Sequence, residues 1–473
     1  MFMRINRKKI FLIIVFIIYI SIISFMFFYH ENWRDEAQAY LICRDMNFFQ
    51  IIKNVHYEGH PIFYYSILYP LVKLGAGPKI VNILSIIFMS IAVFIILFLS
   101  KLNNIQKLCF IVSYPVLFEF SVVGRSYSLI FLLLTLVGLI YQYKDEYPII
   151  YAILLGLLLN THLLMIGFVG ICTLFYIIDM VKDKKYNTKN IIGLIIIGIF
   201  GVLLLIQFVP IFIYKDGLNT GTDFSIFEII SYFILSLYYK SLNTSFIKLA
   251  ISIIFTNLIY MVIYKADKKV FLIILMSYIY ISVLLSYIFN AISIYNIALV
   301  YSIMLCSLLM IDRKIFDNKH ITIYLSILSI LSLDYIVLSI NNELKYNYSN
   351  SIEVSKYIND NIDKNATIIC NCDHMCSSIV PYVKNKFYHT NSKKFFTYIV
   401  WTRDRDLVPD MNDIYNFIDN SNDDLYYIYT GYNKEDIDIV NSLKKKYLIE
   451  NIYEIYKYSY TDREYIIYKI NKD

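Results

Sequence analysis

Long apolar runs recur through the first 340 positions of the chain, separated by short polar stretches. At a rise of about 1.5 Å per residue, about 20 apolar residues are enough to cross the roughly 30 Å hydrocarbon core of a bilayer. The pattern therefore predicts about eleven membrane-spanning helices. They are residues 10–29, 79–100, 106–123, 127–143, 148–162, 163–181, 190–213, 246–264, 270–290, 292–311 and 320–340.

Basic residues between the runs indicate how the helices are oriented, because Lys and Arg are enriched in cytoplasmic loops. The basic clusters are Lys101 with Lys107, Lys144, Lys182 with Lys184 and Lys185, Lys265 with Lys268 and Lys269, and Arg313 with Lys314. All of these clusters fall on one side of the membrane if the N-terminus is cytoplasmic. We therefore expect a multi-pass protein of the cell membrane with a cytoplasmic N-terminus.

This orientation leaves two long loops outside the cytoplasm, at residues 30–78 and 214–245. The first loop contains an apolar stretch at residues 60–75 that carries two prolines. The stretch is too short for a span, so it favours an interfacial or re-entrant helix. A similar stretch at residues 224–239 predicts an interfacial helix in the second loop.

The pattern changes after residue 340. Short runs rich in β-branched and aromatic residues predict strands, and stretches with helical periodicity lie between them. The predicted strands are residues 366–370, 425–429 and 465–470, and the predicted helices are 350–361 and 434–447. Such alternation is typical of a small α/β domain. The expected fold is thus mainly α: a transmembrane helical bundle at 1–340, followed by an α/β domain outside the cytoplasm at 341–473.

The composition agrees with a membrane protein and excludes other classes. The chain is 58% hydrophobic and 17% charged, whereas a soluble domain is about 45–50% apolar and about 25% charged. The formal net charge is +6, and the basic residues lie mainly between apolar runs. This distribution is not the basic patch of a nucleic-acid-binding protein. We expect membrane lipids as partners and no nucleic acid.

Polar residues gather near the predicted outer ends of several spans. Asp35 and Glu36 follow the first span, Glu119 and Arg125 lie near the end of the third, and His162 ends the fifth. Ionisable groups at this level of a membrane are costly unless they are paired or line a cavity, so they are candidate functional residues. The structural alternative for Asp35 is a solvated loop carboxylate that caps the following helix.

These positions carry a resemblance to a known enzyme family. The chain is similar to the glycosyltransferase C superfamily of membrane enzymes, in particular the family-39-like group of protein mannosyltransferases and lipid A aminoarabinose transferases. The resemblance covers about the first 340 residues and rests on four motifs: Arg34–Ala37, Gly59–Tyr65, Gly124–Leu129 and Thr161–His162. One departure lies at residues 291–296, where many relatives carry an Arg-Tyr pair and this chain has no Arg.

The resemblance implies a polyprenyl-phosphate sugar donor and transfer outside the cytoplasm to a glycan, lipid or protein acceptor. The implied base is Asp35, with Glu36 second, because a base must reach the acceptor proton. Cations must neutralise the phosphate leaving group, and the implied candidates are Arg125, Lys215 and Arg34. Direct displacement predicts inversion at the anomeric carbon. The implied substrate-binding residues are His60, Tyr64, Tyr127 and His162.

These assignments have structural alternatives. Lys215 follows the seventh predicted span, where a lysine side chain often extends to the interface without a ligand. Arg34 can instead pair with an acidic neighbour. Lone histidines are as often held by backbone carbonyls as by ligands, and tyrosines are common at membrane interfaces.

We expect no cofactor and no metal, although some members of the family bind one. Cys370, Cys372 and Cys376 lie close in sequence, but their spacing is wrong for a zinc knuckle. On a strand, alternate positions share one face, which is the arrangement that would favour a metal or redox site. Structural thiols or disulfides, with Cys43 as a remote partner, are favoured over a metal.

Two other function classes share many of these features. A transporter or lipid flippase also combines many spans with polar groups, but transporters tend to show internal repeats and broken helices at the midplane. The sequence shows no repeat, and its polar residues lie near the outer rim. The third class is a scaffolding membrane protein whose C-terminal domain recruits a partner. In an enzyme, that domain is expected to bind the acceptor or to cover the site.

Overall fold

The computed structural model describes residues 7–214, 246–285, 294–311, 319–402, 405, 408–432, 434–456, 459 and 464–472. Within this part of the chain the fold is mainly helical, with a mixed β-sheet near the C-terminus. Residues 215–245 of the second expected loop, including Lys215, lie outside the described residues, as do Arg313 and Lys314.

The helices follow one another closely along the chain. They are α1 (Arg7–Tyr29), α2 (Arg34–Asp45), α3 (Phe48–Glu58), α4 (Ile62–Lys73), α5 (Ile80–Phe98), α6 (Asn104–Ile111), α7 (Phe120–Val122), α8 (Tyr127–Ile140), α9 (Pro148–Leu159), α10 (Ile166–Lys182), α11 (Thr188–Tyr214), α12 (Phe246–Ala266), α13 (Lys268–Leu284), α14 (Ile294–Leu308), α15 (Lys319–Lys345), α16 (Ser351–Asn361), α17 (Asp373–Cys376), α18 (Met411–Asn420) and α19 (Lys434–Lys446). A π-helical turn, Pro115–Glu119, precedes α7.

A helix occurs in each segment for which a span was predicted. In the described part of the chain, five helices are long and apolar enough to cross a membrane, or six if one bent pair counts as a single span. The five are Arg7–Tyr29, Ile80–Phe98, Leu163–Lys182, Thr188–Phe208 and Lys319–Lys345. The other predicted spans are not among these five, so eleven crossings stay a prediction. The 12 residues of α4 cover about 18 Å, which agrees with an element that does not cross.

Polar side chains contact the backbone where the bent pair breaks. Its two halves meet at 59° around Pro115, which lacks a backbone N–H and disrupts a regular helix. The buried Tyr19 hydroxyl donates to the carbonyl of Val116 at 3.3 Å. The amide of Asn82 donates to the carbonyl of Val122 at 2.9 Å. The first bond pairs a backbone oxygen next to the break, and the second pairs one at the C-terminal end of the second half, as an apolar surrounding requires.

The chain folds into two compact units that are not continuous in sequence. The first unit comprises Met1–Phe27, Glu58–Tyr64 and Asn82–Ser339. The second unit comprises Phe28–Tyr57, Tyr65–Val81 and Ile340–Asp473. Most of the first expected outer loop therefore belongs to the same unit as the C-terminal α/β domain, whereas the predicted division at residue 340 placed it with the helices.

The second unit contains a sheet of six strands in the order β3-β2-β1-β4-β6-β5. The strands are β1 (Thr367–Cys370), β2 (Lys386–His389), β3 (Lys394–Phe396), β4 (Leu425–Tyr429), β5 (Leu448–Ile455) and β6 (Tyr465–Asn471). β1 pairs in parallel with both β2 and β4, and the other neighbours are antiparallel. The predicted α/β character is confirmed: β1, β4, β6, α16 and α19 match their predicted ranges to within one residue.

The core of this domain lies between the sheet and two helices. A spacing of four residues places Ile414 and Ile418 on one face of α18, and Ile439 and Leu443 on one face of α19. All four pack in one buried cluster with Tyr427 of β4. β2, β3 and β5 were not predicted, because β2 and β3 are very short and β5 is largely exposed.

Candidate functional site

Four predicted site residues lie together in the first unit. The ring centroids of His60 and His162 are 4.5 Å apart, and the ring of Tyr127 lies 5.4 Å from that of His162. The guanidinium carbon of Arg125 is 5.2 Å from the Tyr127 ring centroid, a cation–π distance. We call these four residues the His–Tyr–Arg cluster. Three motifs that are separated in sequence thus converge.

Backbone hydrogen bonds hold the chain around His60 beside the chain around His162. Phe63 N donates to Asn160 O at 3.1 Å, and Leu163 N donates to Gly59 O at 3.4 Å. Gly59 has a φ of 67°, a left-handed conformation that glycine adopts without steric cost. That conformation follows the last residue of α3 and directs the chain into this contact.

Gln207 of α11 ties the same segments together. Its Oε1 accepts from Ile62 N at 2.8 Å, and its Nε2 donates to Asn160 Oδ1 at 3.0 Å. The side chain is buried. Gln207 was not predicted as a site residue, although a lone glutamine within the apolar run of α11 is itself a signal of a buried polar contact.

The hydrogen bonds of the two histidines fix complementary tautomers. His60 Nδ1 lies 2.6 Å from Glu58 O, and a carbonyl only accepts, so Nδ1 carries a proton and, in the neutral ring, Nε2 is an acceptor. His162 Nδ1 accepts from Leu164 N at 3.1 Å, so its Nε2 is the donor. A sugar hydroxyl both donates and accepts, and the pair matches both functions.

Two other predicted site residues do not belong to the His–Tyr–Arg cluster. Tyr64 is on α4 with only 2% of its surface exposed, which does not suit an open stacking platform, and its role stays a prediction. Lys215 lies outside the described residues, so its phosphate contact also stays a prediction.

Asp35 lies in the first turn of α2, in the second unit. Its Oδ1 is 2.9 Å from Arg34 Nε, and the two side chains are 19% and 30% exposed. The ion pair is the alternative that the sequence analysis left open for Arg34. The structural alternative in which Asp35 caps α2 does not hold, because α2 already begins at Arg34 and the preceding cap position is Trp33.

Glu36 is buried, unlike its neighbour Asp35. Its Oε2 accepts from Trp33 N at 3.0 Å and lies 3.0 Å from His30 Nε2. These contacts fix the start of α2, a role for which a carboxylate at the third helical position is suited. They do not favour Glu36 as the second candidate base.

His30 carries a buried positive charge between two carboxylates. Its Nδ1 lies 2.9 Å from Glu343 Oε1, on the opposite side of the ring from Glu36. Burial opposes the charge, but the two carboxylates outweigh it and raise the pKa of His30 to about 10. This triad was not predicted, because Glu343 stands 313 positions from His30.

The C-terminal domain holds α2 in place within the second unit. Gln38 Nε2 donates to Ile399 O at 2.7 Å, and Ile399 N donates to Gln38 Oε1 at 2.8 Å. Arg44 Nη1 donates to Val380 O at 3.4 Å, and α2 also contacts α17. The helix that presents Asp35 is therefore built onto the α/β domain.

All seven cysteines are buried free thiols. Cys370 ends β1, whereas Cys372 follows the strand and Cys376 ends α17, so they do not share one strand face as the alternating spacing had suggested. Among the described residues, no group of three or more His, Cys, Asp and Glu side chains is arranged to hold a metal ion.

Comparison of the sequence with models of known protein families and with curated proteins gives no match.

Proposed function

We propose that the chain is a membrane glycosyltransferase that moves a sugar from a polyprenyl-phosphate donor to an acceptor outside the cytoplasm. The observation that carries the proposal is the His–Tyr–Arg cluster. Its members come from three motifs on which the resemblance to the glycosyltransferase C superfamily rests. A separate structural role for each histidine would not explain why Arg125 and Tyr127 lie with them.

Arg125 is the proposed contact for the donor phosphate. The departing lipid phosphate gains negative charge as its bond to the sugar breaks, and a positioned cation stabilises that charge. A guanidinium offers two parallel N–H donors to phosphate, and the Tyr127 ring orients it. The His60 acceptor and the His162 donor then bind hydroxyl groups of the sugar. Lys215 is kept as a second phosphate contact.

Asp35 is the proposed general base. Its carboxylate takes the proton of the acceptor hydroxyl while that oxygen attacks the anomeric carbon, the bond to the donor phosphate breaks, and the configuration inverts. A base must come within hydrogen-bond distance of the proton that it removes. The partial exposure of Asp35 supports this role, and the burial of Glu36 argues against it for that residue.

The proposal includes the predicted topology, with about eleven spans, a cytoplasmic N-terminus and an α/β domain outside. The helices long and apolar enough to cross a membrane support a membrane location. The short length of α4 supports its placement at the interface.

A donor panel tests the proposal. Membranes containing the chain, and matched membranes without it, are given radiolabelled polyprenyl-phosphate sugars that differ in the sugar. We expect chain-dependent transfer of label from at least one donor to a water-soluble or delipidated product. Sealed vesicles that move a labelled lipid across the bilayer without cleaving it would instead support a transporter or flippase, and would contradict the proposal.

A further inference from the structure

The sheet of the second unit reverses its winding between β1 and β4. The chain passes from β1 to β2 and β3 on one side, and then to β4 on the other side of β1. In open α/β sheets, ligands bind in the crevice outside the carboxyl ends of the strands at such a reversal. In this chain those strand ends lead into residues 371–374 after β1 and residues 430–432 after β4.

A buried ion pair lies after the end of β1. Arg405 Nε donates to Asp373 Oδ2 at 2.9 Å, and Arg405 Nη2 donates to Asp373 Oδ1 at 2.6 Å. The guanidinium carbon of Arg405 also lies 4.4 Å from the Trp401 ring centroid. Each charge of this pair is compensated by the other, so the pair does not present a net charge to a ligand.

His374 adjoins this ion pair through one ring nitrogen. Its Nδ1 is 3.4 Å from Arg405 Nη2 and 3.7 Å from Asp373 Oδ1. Its Nε2 is buried and has no hydrogen-bond partner among the described residues. A buried polar atom without a partner is costly, so this nitrogen is a point at which a ligand can gain a hydrogen bond.

Neighbouring ionisable groups differ from His374 in having partners already. Both ring nitrogens of His389 have oxygen partners, at 2.9 and 3.0 Å. Asp436 accepts from the backbone N–H and from the hydroxyl of Thr430, at 2.8 and 3.0 Å.

An aromatic ring covers His374 at the surface. The Tyr432 ring meets the His374 ring edge-on, with centroids 4.6 Å apart. Tyr432 is 48% exposed, so part of its ring is accessible to a ligand. A sugar presents both C–H and O–H groups. An aromatic face can pack against the C–H groups while a neighbouring polar atom hydrogen-bonds to an O–H group.

The start of α2 lies near the same crevice. Burial lowers the pKa of His374, the hydrogen bond with Asp373 opposes this shift, and the positive charge of Arg34 adds to it. Contact between α2 and α17 places the two helices side by side. The Arg34–Asp35 pair is compensated, as is the Arg405–Asp373 pair. These two ion pairs therefore add no net charge beside His374.

We propose that this crevice binds an uncharged, hydroxyl-rich glycan, with His374 Nε2 hydrogen-bonded to a hydroxyl and the Tyr432 ring against the sugar face. The inference rests on the proposed function in one respect, since it identifies this glycan with the acceptor and places it beside Asp35. An anionic ligand is disfavoured because both arginines are already paired.

The chain has two tryptophans, Trp33 and Trp401, and both belong to the second unit. In the full chain carrying Trp33→Phe, fluorescence therefore reports on Trp401, which contacts Arg405. The purified protein in detergent is titrated with neutral mono- and disaccharides, and in parallel with inorganic phosphate and hexose 1-phosphates.

We expect a saturable fluorescence change with at least one neutral sugar. His374→Ala should weaken this binding by about fivefold or more, the loss typical of one hydrogen bond, and Tyr432→Ala should also weaken it. Tyr456→Ala, which removes another exposed tyrosine of the same domain, should bind as the parent does. His374→Gln, which keeps a side-chain donor and acceptor, should recover part of the affinity.

Saturation by phosphate alone, no change with any neutral sugar, or binding as tight as the parent's in both His374→Ala and Tyr432→Ala would overturn the inference. Transfer activity separates its failure from that of the proposed function. Sugar transfer by a chain that binds no sugar at this crevice refutes the inference and leaves the proposed function standing. Sugar binding by a chain that transfers no sugar supports the glycan site and refutes its role as the acceptor site.

Discussion

Gln38 and Ile399 exchange two hydrogen bonds, although they stand 361 positions apart in sequence. The glutamine amide pairs with both backbone groups of Ile399, and both residues are buried. One side-chain amide thus forms hydrogen bonds with both the buried N–H and the buried C=O of one residue. It takes the place of the backbone partner that a helix or a sheet would provide. The contact fixes α2, and with it Asp35, to the α/β domain.

Gln38→Ala should destabilise the second unit. The substitution leaves the buried N–H and C=O of Ile399 unpaired, at a cost of about 1 to 3 kcal/mol for each unsatisfied group. We expect a lower midpoint of thermal unfolding for the purified chain in detergent. Lys364→Ala, at an exposed position of the same domain, serves as the control and should unfold as the parent does. Equal midpoints for both variants would show that the contact is dispensable.

The buried charge of His30 predicts a stability that falls at high pH. The pKa of His30 in the folded chain is about 10, above the ordinary value of about 6.5. A histidine whose pKa is higher in the folded state than in the unfolded state stabilises the fold. This stabilisation is complete when the pH is below the unfolded-state pKa, and it is lost as the pH rises through the folded-state pKa. The thermal midpoint should therefore decline between about pH 6.5 and about pH 10.

His30→Gln should flatten this decline, because the side chain no longer titrates. The matched control is His320→Gln, which removes an exposed histidine and should retain the parent profile. An unchanged slope in His30→Gln would mean that the ion triad with Glu36 and Glu343 does not carry the pH dependence.

Arg125→Ala should weaken binding of the donor. The loss of hydrogen bonds to a charged phosphate should raise the KM for the lipid-linked sugar by about 10- to 100-fold. Arg125→Lys keeps the charge but not the two parallel donors, so an intermediate KM is expected. Transfer kinetics over a range of donor concentrations measure both. The control is Arg44→Ala, at a partly exposed arginine paired with Asp45, which should keep the parent KM. A normal KM in Arg125→Ala would contradict the assignment of Arg125 as the phosphate contact.

The cysteines should resist alkylation in the folded chain. All seven are buried, and burial raises the pKa of the Cys43 thiol to about 12, which lowers the fraction of reactive thiolate. Mass spectrometry after treatment with N-ethylmaleimide should show little labelling before denaturation and seven adducts after it. Fewer adducts after denaturation without reductant would indicate a disulfide between Cys370, Cys372, Cys376 or Cys43.

Much of the fold could be predicted because it follows from local periodicity. Apolar runs of helical length indicate α1 and α5, and alternating β-branched and aromatic residues indicate β4 and β6. His60, Arg125 and His162 could be found for a related reason: polar residues near apolar runs are costly without a function or a partner. No pattern of this kind reports which distant residues pair.

The missed contacts are those between distant positions. Glu343 and Ile399 each pair with the segment 30–78 across more than 300 positions, and nothing at either end signals the other. The roles of Asp35 and Glu36 depend on where α2 begins, because successive helical residues point about 100° apart. Only the start at Arg34 shows that Glu36 is turned inward while Asp35 stays accessible.

A paired substitution tests the central claim most directly. Asp35→Asn and Asp45→Asn each remove one carboxylate from α2, and each carboxylate is paired with the arginine before it, at 2.9 and 2.7 Å. Transfer from the donor that the native chain uses is measured in membranes with equal amounts of each variant. We predict a loss of about 100-fold or more for Asp35→Asn, as for removal of a general base, and native rates for Asp45→Asn. Native rates in both variants, or equal losses in both, would contradict the assignment of Asp35 as the base.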